Sequence, residues 1–67
     1  MNLTLNFAPE SFEGESLSVA GLLERKRWTF PLIIVKVNGE LVPRESYALR
    51  PLAEGDVVEA YHLVSGG

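Results

Sequence analysis

No cysteine occurs among the 67 residues, and that single absence removes disulfide staples, cysteine-ligated zinc, iron–sulfur clusters and thiol catalysis from what the chain could do. Histidine is nearly as scarce, His62 being the one example. No carboxylate pair sits in an evident cleft-forming arrangement, so a nucleophile with an adjacent base cannot be assembled and an enzyme is not expected. His62 reads instead as a partly exposed strand residue. Basic residues are outnumbered, six against nine acidic, for a net charge of −3 and a pI of about 4.9. Nucleic acid and anionic membrane are therefore poor partners, and a basic protein surface is a better one. There is no long apolar run, and Met1 to Phe7 alternates instead of passing from basic residues into an apolar core. Neither a membrane span nor a signal peptide is expected, which points to the cytoplasm.

What is present describes an ordinary globular domain. Hydrophobic residues make up 46% and charged residues 22%, with no biased tract, so residues 1–67 are expected to fold as one small domain that is a monomer when free.

Leu3, Leu5 and Phe7 alternate with Asn2, Thr4 and Asn6, the period-two pattern of a strand with one buried face. A turn at Ala8 to Glu10 and a short edge strand from Ser11 to Glu15 complete the expected first hairpin. Ser18 is placed to cap a helix over Val19 to about Arg27, with Val19, Leu22 and Leu23 at helical spacing. Gly21 costs that helix roughly 1 kcal/mol against Ala, so close packing on the sheet is its expected use. Arg25, Lys26 and Arg27 suit the negative end of the helix dipole, and Trp28 is expected to close the helix as a lid on the core edge. Leu32 to Val37, rich in β-branched residues, reads as a central strand. Asn38-Gly39 is a strong hairpin signal that returns the chain through Glu40 to Val42. A turn or short 3₁₀ segment follows Pro43. Glu54-Gly55-Asp56 then launches a last strand from Val57 to Val64.

Two hairpins separated by one helix, with a long final strand, predict an α+β fold: a mixed sheet of four to five strands with one helix packed on one face, in the ubiquitin-like β-grasp arrangement. The last strand is expected to lie parallel to the first. Leu3, Leu5, Val19, Leu22, Leu23, Val35, Val37 and Val58 are the expected core. Ile34, Tyr61 and Leu63 fall on the face that the helix cannot cover and are candidates for a partner interface.

The stretch that follows the last strand carries the functional signal. Ser65, Gly66 and Gly67 are expected to form a flexible tail, in which two glycines without Cβ atoms can thread a narrow cleft and present a carboxylate to another protein's active site. Val64 to Gly67, four residues when extended, span roughly 13 Å, enough to cross from this domain's surface into a partner.

Two strings, V-N-G-E-L-V-P-R-E-S-Y from Val37 to Tyr47 and G-D-V-V-E-A-Y-H-L-V-S-G-G from Gly55 to Gly67, resemble the ThiS family of sulfur-carrier proteins of thiamine biosynthesis. In the first half the likeness is mainly element order and the G-E-S-L-S-V-A-G-L-L helix start. Tyr47 stands where that family more often has Trp, and Arg25 to Pro31 has no counterpart in the pattern. The resemblance implies that Gly67 bears the sulfur, that a ThiF-like enzyme adenylates its carboxylate, that a sulfur-donating enzyme converts it to a thiocarboxylate, and that a ThiG-like thiazole synthase receives the sulfur. It also implies that this chain binds no cofactor, ATP and its metal being used by the activating enzyme. The sequence leaves open the small subunit of molybdopterin synthase, a modifier joined through Gly67 to lysines, and a non-covalent β-grasp adaptor.

Overall fold

The computed structural model describes residues 1–28 and 33–62. Strand β1 (Asn2–Leu5) buries Leu3 and Leu5 as their alternation requires. It ends sooner than the pattern suggests. Asn6 and Phe7 take φ 50° and 68°, and Leu5 pairs directly with Ala8, so a two-residue hairpin of the primed type turns the chain here. The first hairpin thus closes at Asn6–Phe7 instead of Ala8 to Glu10, and its second strand is β2 (Ala8–Ser11) instead of Ser11 to Glu15.

Pro9 accordingly lies inside β2 at the sheet edge. The Phe12 amide donates to the Met1 carbonyl at 2.8 Å, so alternate residues of this strand turn their backbone groups toward β1, and Pro9, out of phase with Phe12, faces outward where no donor is needed.

A two-stranded sheet was not foreseen. Its members are β3 (Leu17–Ser18) and β6 (Pro51–Leu52), paired antiparallel, and they bury Leu17 and Leu52 against the core. Runs of two residues are too short to show a period.

Helix α1 (Val19–Arg25) begins inside this junction. Ser18 caps it, its Oγ accepting from the Gly21 N–H at 3.0 Å. The Val19 and Ala20 amides donate to the carbonyls of Arg50 and Tyr47, each at 2.9 Å, so the early donors that a helix cannot satisfy itself are taken up by the connection that precedes β6. A Cβ on Gly21 would stand 3.1 Å from Leu17 Cδ1 and 3.3 Å from Ser18 Oγ. The close packing expected of this glycine is real, and its neighbour is β3.

The helix stops two residues before the expected Arg27. Lys26 is the C-cap, Arg27 takes φ 59°, and the Arg27 and Trp28 amides donate to Glu24 and Leu23 at 3.0 and 2.9 Å. This is a Schellman ending with arginine where glycine is usual. Trp28 lies half-buried against the core edge. Lys26 bridges to Glu10 at 2.6 Å and stands 5.5 Å from the Trp28 ring centroid, tying the helix end to β2.

Strands β4 (Ile33–Val37) and β5 (Glu40–Val42) form the second hairpin across Asn38 and Gly39, at φ 52° and 84°. A 3₁₀ turn (Arg44–Ser46) follows. Strand β7 (Val57–His62) then enters the middle of the sheet. The order is β2-β1-β7-β4-β5, with β7 parallel to β1 and antiparallel to β4. All eight expected core residues are buried, joined by Phe12, Leu17, Val42 and Leu52. A five-stranded mixed sheet carrying one helix, with parallel first and last strands, is the ubiquitin-like β-grasp fold.

Candidate functional site

Strand β7 is held from both sides, and the means differ. On the β4 side five residue pairs run from Val37↔Val58 to Ile33↔His62. On the β1 side the ladder is short, Thr4↔Val57 and Leu5↔Val58, because β1 turns away at Asn6. The Asn6 backbone N–H still reaches the Val58 carbonyl at 2.9 Å, and its side-chain Oδ1 accepts from the Ala60 N–H at 2.8 Å. A side chain thus takes the place of the next backbone carbonyl. Nothing in the sequence pattern marked Asn6, since the alternation of Leu3 to Phe7 runs straight through it.

The start of β7 is fixed by the second hairpin. Asn38 Oδ1 accepts from the Val57 N–H at 2.9 Å and Asn38 Nδ2 donates to Asp56 Oδ1 at 3.0 Å. Asp56 Oδ2 in turn accepts from the Ala53 N–H at 2.8 Å. The Asn-Gly signal located the turn, but the second role of Asn38 depends on a contact 18 residues away that local patterning cannot show.

Side chains of β7 divide between the faces. Val58 and Ala60 point to the helix, and Val57, Glu59 and Tyr61 point away from it. The register places Tyr61 opposite Ile34 and Glu59 opposite Lys36, so an apolar pair and a pair of opposite charge lie side by side on the open face. Tyr61 is 41% exposed and donates its phenol proton to the Glu59 carboxylate. That hydrogen bond raises the Tyr61 pKa above its usual value, with desolvation and the Glu59 charge adding to it. Ile34 is half-buried. Of the expected interface residues, the structure therefore brings Ile34 and Tyr61 together. Leu63 lies outside the described residues, as do Ser65, Gly66 and Gly67 of the tail.

One depression on the described surface lies between β3 and α1, lined by Ser16, Leu17, Ser18, Gly21, Glu24 and Arg25. No histidine lines it, and the Ser18 hydroxyl is already engaged as the helix cap. Among the described residues no cluster of His, Cys, Asp or Glu could hold a metal. His62, paired with Ile33, is exposed at the last described position. Among these residues, too, no helix is long and apolar enough to cross a membrane.

Against known proteins, residues 4–67 match the family model described as the ThiS family. Two solved structures are similar over the whole chain. A crystal structure of the thiamine biosynthesis protein ThiS from Geobacter metallireducens shares 36% identity with a TM-score of 0.87, and the match covers 100% of both chains. A solution NMR structure of a thiamine biosynthesis protein from Geobacter metallireducens shares 36% identity with a TM-score of 0.81, covering 100% of this chain and 88% of the other. No individually curated protein matches. With a family model spanning nearly all of its residues and a full-length structural relative at this identity, the chain belongs to the ThiS family of small sulfur-carrier proteins.

Proposed function

We propose that this chain carries sulfur for thiazole formation in thiamine biosynthesis, with the carboxylate of Gly67 as the attachment point. The observation that carries the reading is the extent of the family match, which runs through β7 and on to residue 67, where Ser65, Gly66 and Gly67 supply the sequence such a reaction needs. The thiamine biosynthesis protein of Geobacter metallireducens, at 36% identity, supports the pathway.

The chemistry follows from what a carboxylate can and cannot do. An α-carboxyl group with a pKa of about 3.3–3.7 is ionised at neutral pH, a usable nucleophile and a poor acylating agent. In a ThiF-like activating enzyme a Gly67 carboxylate oxygen attacks the α-phosphorus of ATP and pyrophosphate leaves. Sulfide-level sulfur supplied by a donor enzyme then attacks the acyl carbon and displaces AMP, leaving a thiocarboxylate, which a ThiG-like thiazole synthase consumes. ATP and its metal reside in the activating enzyme, and this chain is a co-substrate. Gly66 and Ser65 enter the cleft behind Gly67, where the missing Cβ of Gly66 lets backbone approach closely. Ile34, Tyr61 and Leu63 present the open sheet face to the partner.

The test is incubation with a ThiF-type enzyme, ATP and a sulfur source, read by intact mass and by fragmentation of the C-terminal peptide. Exchange of one oxygen for sulfur at Gly67 is expected. Thiocarboxylate formation on a chain lacking Gly67 would overturn the reading, and attachment of the chain to lysines of other proteins would replace it with a tagging role.

A further inference from the structure

The turn between β1 and β2 carries a cost that the fold does not explain. Phe7 sits at its second central position with φ 68°, in the left-handed region where a bulky side chain is an outlier, and the residue is 77% exposed. The other hairpin makes its two-residue turn with Asn38 and Gly39 and incurs neither penalty. Glycine, asparagine or aspartate at residue 7 would serve the hairpin better. An exposed apolar side chain alone means little; one held on strained backbone points to a use outside the fold.

The position of this turn says what that use is. Through its two hydrogen bonds, to Val58 at 2.9 Å and Ala60 at 2.8 Å, Asn6 fastens the turn to the middle of β7, at the edge of the sheet toward which the parallel strands β1 and β7 both run. Gly67 lies five positions beyond His62, and at no more than about 3.6 Å each the terminal residue lies within roughly 18 Å of His62. A protein that encloses Gly67 must therefore bring its own surface up to this end of the sheet. Among the described residues Phe7, at 77% exposure, is more open to solvent than Tyr61 of β7, at 41%.

We propose that Phe7 is an anchor for the enzyme that activates the tail, entering an apolar cup on the rim of the cleft that takes Ser65, Gly66 and Gly67, with Asn6 as the positioning residue. The proposal rests on the carrier reading given above. An aromatic ring has the area to act as a dominant contact, and a turn already fixed to β7 loses little freedom when it docks.

ATP–pyrophosphate exchange by a ThiF-type enzyme, titrated with the wild-type chain and with Phe7→Gly, Phe7→Leu and Leu49→Ser, tests this. Leu49 is the control: it is 81% exposed but belongs to the connection leading to β6, which pairs with β3 and not with β7. Phe7→Gly is expected to melt at or above the wild-type temperature, because glycine relieves the strained φ. It should raise KM about tenfold with kcat within about twofold. Phe7→Leu should recover most of the loss, and Leu49→Ser should match the wild type. An unchanged KM for Phe7→Gly overturns the anchor, and so does an equal rise for Leu49→Ser, which would indicate generic apolar contact. Failure of the wild-type chain to support exchange at all would overturn the carrier reading, and the anchor with it.

Discussion

Asn38 donates from Nδ2 to Asp56 Oδ1 at 3.0 Å while its Oδ1 receives the Val57 N–H at 2.9 Å, so one amide both turns the second hairpin and sets the starting point of the central strand. Substitution separates the two roles. Asn38→Gly keeps the left-handed backbone but loses both bonds, at an expected cost of about 1–2 kcal/mol. Asn38→Ala adds the left-handed penalty, roughly 1 kcal/mol more. Urea unfolding should rank wild type above Asn38→Gly and Asn38→Ala last; equal midpoints for the two variants would show that turn conformation contributes nothing.

Arg27 invites the opposite experiment. It occupies the left-handed position of the helix ending at φ 59°, where glycine is unstrained, so Arg27→Gly should raise stability by up to about 1 kcal/mol. Thermal melts of the two proteins decide it, and a lowered midpoint would show that the arginine side chain supplies more than its backbone costs.

Glu54 gives the fold a pH dependence with a definite sign. Its Oε1 accepts from the Asn2 backbone N–H at 2.9 Å, and this bond holds the carboxyl below the ordinary value of 4.5. A carboxylate whose folded pKa is depressed contributes fully above its unfolded pKa and loses that contribution as pH falls through the folded one. Stability should therefore decline on acidification below about pH 5, and Glu54→Gln should make that slope shallower when unfolding is measured from pH 6 to the acid limit.

The open sheet face is tested by Tyr61→Ala and Leu63→Ala. Tyr61→Ala should fold, since Tyr61 is not among the buried core residues, and each variant should slow adenylation by about tenfold through weaker docking. Normal folding with wild-type adenylation rates in both would remove this face from the interface.

Gly66→Val introduces a β-branched side chain where backbone alone is expected to fit. Thiocarboxylate yield should fall to near background with the melting temperature unaltered. A full yield would mean that the receiving cleft is wider than two glycines require.

The central strands, the helix cap and the eight expected core residues were legible because each obeys a period or a local motif that a short window contains. Three features were not. Phe7 continues the β1 alternation in sequence yet leaves it in space, since the primed turn at Asn6–Phe7 lacks the glycine that announces such turns. Arg27 ends the helix for the same kind of reason, a non-glycine residue in a glycine position. Leu17 and Leu52 meet across two-residue strands 35 positions apart, which no periodicity spans. In the site, the Ile34–Tyr61 pair followed from alternation, whereas Asn6 and Asn38 act through partners distant in sequence.

The placement of β7 between β1 and β4 bears on how the molecule is made. Until Val57 to His62 have been synthesised, the two hairpins have no strand to join them, and the apolar faces of Leu3, Leu5, Val35 and Val37 cannot close into one sheet. A chain interrupted before β7 is left as two fragments of sheet with the core open to solvent, a natural target for degradation. A chain truncated before Val57 is therefore expected to lack a closed core, whereas one carried through His62 holds every strand of the five-stranded sheet.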